Sequence, residues 1–101
     1  MITIVAKNTI KPGMAEDFKR MVKPLIMASQ QESGCIAYDL YEDIADPNIL
    51  TFIEQWEDQT AIETHNNSPH FTQIVPKIGV FCEGSEVRLY KMVRDSGKGD
   101  E

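Results

Sequence analysis

The period of the hydrophobic pattern changes four times along this chain, and that succession restricts the fold more than any single motif. Residues 2 to 10, ITIVAKNTI, alternate Ile2, Ile4, Ala6, Asn8 and Ile10 against Thr3, Val5, Lys7 and Thr9. This is the period of two expected of a strand, in β-branched residues that suit one. Lys11-Pro12-Gly13 breaks the pattern, and Met14, Phe18, Met21, Val22, Leu25 and Ile26 then recur at the three-and-four spacing of an amphipathic helix. Pro24 falls inside that helix and predicts a bend.

Ser33-Gly34 ends the helix, and Cys35 to Glu42 return to alternation. Asp46-Pro47-Asn48 is turn chemistry, because Pro presets φ and the flanking Asp and Asn bond back to the backbone. A third strand is predicted over Ile49 to Glu57. Asp58 is a candidate N-cap for a short helix, and Ser68-Pro69 a second start signal leading to Phe71, Ile74, Val75 and Ile78. Gly79 is expected to cap that helix, Pro76 to bend it, and Glu86 to Val93 to form a last strand.

The order is β-α-β-β-α-β. With right-handed crossovers it gives an α+β, ferredoxin-like domain: a four-stranded antiparallel sheet with helices on one face. Domain bounds of 1 to 93 are expected, with RDSGKGDE at 94 to 101 as a disordered tail lacking any apolar residue. Strands one to three carry apolar side chains on both faces, whereas the helices cover only one. The other face predicts a homodimer packed sheet to sheet, a dimeric α/β barrel.

Charge and composition remove several classes of function. Ten Lys and Arg against 16 Asp and Glu give a net charge of -6 with no basic cluster, so no nucleic-acid partner is expected. No apolar run approaches the roughly 20 residues that span a bilayer, and the N-terminus has no signal-peptide pattern. Cys35 and Cys82 are far apart and lack zinc spacing, which fits reduced thiols in a cytoplasmic protein. Phosphate loops, nucleophile elbows and HExxH patterns are missing from the sequence.

The stretch IEQWEDQTAIETHNNSPHF, residues 53 to 71, gathers the chemistry-bearing side chains. His65 and His70 lie near helix ends beside a strand bearing Glu54 and Trp56. An imidazole titrating near neutrality is the natural proton acceptor, and an aromatic wall can orient a flat substrate. As a metal pair the two histidines are poorly placed, since their five-residue interval leaves one helical face and Pro69 interrupts it. Asn8, a polar residue on an otherwise apolar strand face, is a candidate donor to a developing oxyanion and equally a candidate for bonding to backbone.

IEQWE at 53 to 57, HNNSPH at 65 to 70, the KPG turn at 11 to 13 and the GCxxY pattern at Gly34, Cys35 and Tyr38 together resemble the antibiotic biosynthesis monooxygenase family. The closest pattern is that of its quinol monooxygenase-like members. This resemblance implies a pocket between sheet and helices that works without flavin, haem or metal, on a small aromatic substrate and O2. On that basis His65 is expected as the base with His70 second, Asn8 as a further catalytic residue, and Trp56, Tyr38, Glu54 and Phe71 as substrate contacts. The haem-degrading branch is disfavoured, because residues 74 to 78, IVPKI, hold no His. Two alternatives remain open. One is an isomerase-like enzyme on a small enolisable ketone; if that ketone were phosphorylated, Arg88 and Lys91 are the late-strand cations available to it. The other is a non-catalytic ligand-binding stress module.

Overall fold

A computed structural model describes residues 1–93, and the tail expected at 94 to 101 lies outside the described residues. The elements are β1 (Ile2–Ile10), α1 (Ala15–Gln30), β2 (Cys35–Glu42), β3 (Ile49–Trp56), α2 (Gln59–Asn66), α3 (Pro69–Phe81) and β4 (Cys82–Lys91). The four strands form one antiparallel sheet in the order β2-β3-β1-β4, which is the ferredoxin-like arrangement expected from the element order.

Local chemistry explains the joints. Lys11-Pro12-Gly13-Met14 closes a turn in which Met14 N–H donates to the Lys11 carbonyl (3.1 Å), with Gly13 at φ 80. Pro before a positive-φ Gly is the signature of a type II turn, and a side chain at position 13 would be strained. Asp46 closes the hairpin turn twice, its carboxylate accepting from Asn48 N–H (2.9 Å) and its carbonyl from Ile49 N–H (3.1 Å). Asp58 caps α2 by accepting from Ala61 N–H, and Ser68 caps α3 by accepting from Phe71 N–H, with Pro69 at the first helical position.

Both α1 and α3 continue through their prolines: Pro24 and Pro76 lie on solvent-facing positions, where water can serve the carbonyl that loses its partner. Two boundaries differ from the sequence expectation. Gly79 does not end α3, which runs on to Phe81. β4 begins at Cys82 instead of Glu86 and ends at Lys91, because pairing with β1 from Ile10↔Cys82 to Ile2↔Lys91 recruits the polar CEGS segment, with a register shift at Thr9/Ile10.

The core lies under α1. Phe18, Val22 and Leu25 are completely buried, and Phe18 meets Phe52 and Phe81 at centroid distances of 6.4 and 6.0 Å. α3 behaves differently: Phe71, Ile74, Val75 and Ile78 are only half-buried, since a cavity separates this helix from the sheet. The opposite sheet face, including Val5, Ile49, Thr51 and Ile53, carries no helix and is also half-buried.

The α1–β2 turn approaches α2 closely. A Cβ built on Gly34 would lie 2.4 Å from Ala61 Cβ, well inside van der Waals contact. Gly34→Ala should therefore destabilise the fold by about 1–3 kcal/mol through overpacking. Denaturant unfolding would measure this, and Ala61→Gly in the same chain should return part of the loss.

Candidate active site

The cavity, of about 530 Å³, is floored by the sheet and roofed by α2 and α3. Strand register sets its floor in rows. Tyr38, Glu54, Ile4 and Leu89 are neighbours across four strands, Phe52, Ala6 and Val87 form the next row, and Asn8 beside Ser85 the third. Ile62, His65, Phe71, Val75 and Ile78 line the roof. Val87 and Leu89 remain more than half exposed, so the cavity opens along the β4 edge.

His65 occupies the last turn of α2 and is 2% exposed. Its Nδ1 lies 2.6 Å from Glu32 Oε2, and His70 Nε2 lies 2.7 Å from the same oxygen. An ionised carboxylate only accepts, so Glu32 holds the His65 proton on Nδ1 and leaves Nε2 with its lone pair. Among the described residues Nε2 has no protein partner. Burial lowers the His65 pKa, an effect that Glu32 only partly offsets; the ring is thus neutral at neutral pH, the form a base requires.

Local structure explains this convergence. The Ser68 cap ends one helix and starts the next, its hydroxyl donating to the His65 carbonyl (2.7 Å), which sets His65 and His70 on successive helices facing one point. Glu32 reaches that point from the α1–β2 turn, where its N–H donates to Ser29 and its carbonyl accepts from Cys35. The close Gly34–Ala61 approach keeps that turn against α2.

Glu54 is the second titratable group in the cavity, 6% exposed, and its Oε1 accepts from Trp56 Nε1 at 3.0 Å. Burial raises its pKa to about 7 against the pull of the indole N–H. The cavity therefore holds a neutral imidazole with an open lone pair and a carboxyl that keeps its proton near neutrality. Environments that push two such groups in opposite directions are the usual arrangement of a base and an acid. Burial, reinforced by the Glu54 charge, likewise pushes the Tyr38 phenol upward and keeps it protonated.

The remaining residues singled out in the sequence separate into cavity wall and support. Tyr38, Glu54, Phe71 and Asn8 line the cavity. The Asn8 amide is already engaged, its Nδ2 donating to Leu50 O (3.2 Å) and Ala6 O (3.3 Å) and its Oδ1 accepting from Ser85 (3.0 Å). Trp56 is completely buried and stands behind His65, ring centroids 4.4 Å apart, so it buttresses the imidazole and is not part of the cavity wall. His70 sits outside the cavity, on the far side of Glu32. Arg88 pairs with Glu86 (2.7 Å), and neither it nor Lys91 lines the cavity; they do not supply a phosphate anchor there. Glu32 and Ser85 were not legible as site residues. Glu32 reads as one more polar residue in a helix-ending QQESG, and only its place opposite HNNSPH in space distinguishes it.

An α+β domain with an apolar cavity between sheet and helices, a carboxylate-oriented histidine and a buried carboxyl presents a candidate small-molecule site. The model of the antibiotic biosynthesis monooxygenase family matches residues 1–77, and the chain belongs to that family. It is 34% identical over 77 residues to YcnE of Bacillus subtilis, a protein provisionally named a monooxygenase, covering 76% of this chain and 81% of that one. It is 30% identical over 92 residues to an uncharacterised Synechocystis protein, sll1783, covering 90% of this chain but only 63% of that protein's length. A crystal structure of a conserved protein from Methanosarcina mazei superposes with a TM-score of 0.88 at 34% identity, covering 91% of this chain and 92% of the other.

The raised Glu54 pKa makes stability depend on pH. The folded state keeps a proton that the unfolded chain releases above its ordinary value of 4.5. The resulting stabilisation is complete below that value and is lost as pH rises through about 7. Across that span, at about 1.4 kcal/mol per pH unit, the loss is on the order of 3 kcal/mol. Glu54→Gln should therefore be more stable than the parent at pH 8, with an advantage that shrinks steadily toward pH 4.5 in denaturant titrations.

Proposed function

We propose that the chain is a cofactor-independent oxygenase that oxidises a quinol or related polycyclic phenol with O2. The observation that carries this reading is the 2.6 Å contact of Glu32 Oε2 with Nδ1 of the cavity-lining His65, which leaves Nε2 as the ring nitrogen free to act as a base. The volume of about 530 Å³ and the walls of Phe52, Phe71 and Tyr38 suit one flat aromatic molecule. Nε2 removes a phenolic proton, and the resulting phenolate is electron-rich enough to reduce O2 directly. For a hydroquinone the balance is hydroquinone plus O2 giving hydroxyquinone plus water. All four electrons come from the substrate, one oxygen atom enters the ring and the other leaves as water, so no external reductant is needed. On this reading Glu54, which keeps its proton near neutrality, protonates the reduced oxygen species, and the apolar walls limit water around the anion.

A second reading draws on the same pair. A base and an acid in one cavity also suffice to move a proton across an enolisable ketone, without oxygen. The cavity wall contains no Lys or Arg among the described residues, which favours an uncharged substrate for either reaction.

Assembly and location complete the reading. We infer a homodimer formed by the helix-free sheet face, because Val5, Ile49 and Ile53 are incompletely covered within one chain. A cytoplasmic setting fits two free, half-buried cysteines and the finding that, among the described residues, no helix is long and apolar enough to cross a membrane.

Oxygen uptake by the metal-free protein, measured with a panel of reduced quinols and anthrol-type phenols and corrected for autoxidation, tests the activity. His65→Ala should lower the rate by about 10²- to 10⁴-fold, as for loss of a general base. Turnover of a ketone without oxygen consumption would select the isomerase reading. Scattering at micromolar concentration should give the mass of a dimer, and Ile53→Asp, a charge placed on the helix-free face, should give a monomer.

A further inference from the structure

We propose that Glu32, His65 and His70 form a binding site for one divalent cation of borderline softness, Zn²⁺ being the best match, and that its occupancy disables the cavity-facing imidazole. The binding stands on the geometry of the cluster alone; the inhibitory consequence rests on the role proposed for His65.

The two histidines alone did not suggest a metal site, because their sequence interval leaves one helical face. Glu32 changes that. Its Oε2 and the two ring nitrogens lie within 4.8 Å of one another, gathered from the α1–β2 turn, the end of α2 and the start of α3. Two imidazoles and a carboxylate are a common zinc donor set. With zinc bonds of roughly 2.0–2.2 Å, tetrahedral ligand atoms stand roughly 3.3 Å apart. The observed Glu32–imidazole separations of 2.6 and 2.7 Å must widen by roughly 0.6–0.7 Å, and the two ring nitrogens, within 4.8 Å of one another, must settle at the same spacing. His70, second residue of its helix and 19% exposed, can yield that distance. The cation also has a way in: Glu32 and His70 line an outer cleft shared with Glu63 and Asn67, whose wall contains no Lys or Arg among the described residues.

A cation on His65 Nδ1 lies on the far side of the ring from the cavity and does not touch a molecule bound there. Its effect passes through the imidazole. In the hydrogen-bonded state the single ring proton is on Nδ1 and the lone pair faces the cavity. Coordination uses an Nδ1 lone pair, so that proton must reside on Nε2. The ring keeps one proton throughout, but the group facing the cavity changes from acceptor to donor, and the base is lost.

Zinc titration of the chelator-treated full chain by calorimetry, with cobalt absorption as a second probe, tests the site. One equivalent per chain is expected. His70→Ala and Glu32→Gln should each weaken binding at least tenfold, the lower end of what even an outer-shell change costs a metal site. Nitrogen-15 NMR of the wild-type chain should show the His65 proton moving from Nδ1 to Nε2 as zinc is added, a readout independent of any variant's folding. Absence of saturable uptake at micromolar zinc overturns the proposal, as does uptake that survives His70→Ala but disappears with Cys35→Ser or Cys82→Ser. Zinc bound at the cluster without loss of quinol-dependent oxygen uptake overturns the switch. If His65→Ala then also leaves uptake intact, the failure lies in the base assignment and not in the site.

Discussion

One carboxylate oxygen organises the functional half of this molecule. Glu32 Oε2 accepts from imidazoles on two different helices, and in doing so ties the α1–β2 turn to the α2–α3 corner. A charge-assisted hydrogen bond in a partly buried setting is stronger than a neutral one and falls off steeply with misalignment. The ring of His65 is consequently fixed in tautomer by Glu32 and in plane by Trp56 behind it. Neither constraint comes from the cavity, which leaves the cavity face free for a ligand.

The sheet supplies the complementary group. Glu54 lies on a strand face otherwise occupied by Leu50, Phe52 and Trp56, the most completely buried face of β3. A carboxyl there retains its proton more readily than one in water, and Trp56 Nε1 fixes one of its oxygens. Trp56 thus serves both groups at once, as a hydrogen-bond donor to Glu54 and a packing surface for His65. Such double use by a single indole is why its complete burial is compatible with an influence on chemistry.

The fold was legible because its periodicities are strong and its turns use residues with a mechanical reason to be there: Pro12 before Gly13, Asp46 ahead of Pro47, Asp58 and Ser68 as caps. What failed to show in sequence was set by tertiary contacts. The CEGS segment is too polar to read as a strand, and only the free edge of β1 draws it into the sheet. The same division holds at the site. His65, Glu54, Tyr38, Phe71 and Asn8 could be picked out by residue type and face, and all line the cavity. The partition between His65 and His70, the support role of Trp56 and the participation of Glu32 depend on a contact 33 residues apart in the chain, which no local pattern encodes.

The half-buried stance of α3 has a dynamic consequence. A helix resting over empty volume loses fewer contacts when it lifts than α1 does with Phe18, Val22 and Leu25 fully packed. Local opening free energies follow such differences in packing. α3 is therefore held less firmly over the cavity than α1 is over the core, and its first turn carries His70, one of the two partners of Glu32. A change in the packing of α3 thus bears on the Glu32–His70 contact and on the cavity roof together.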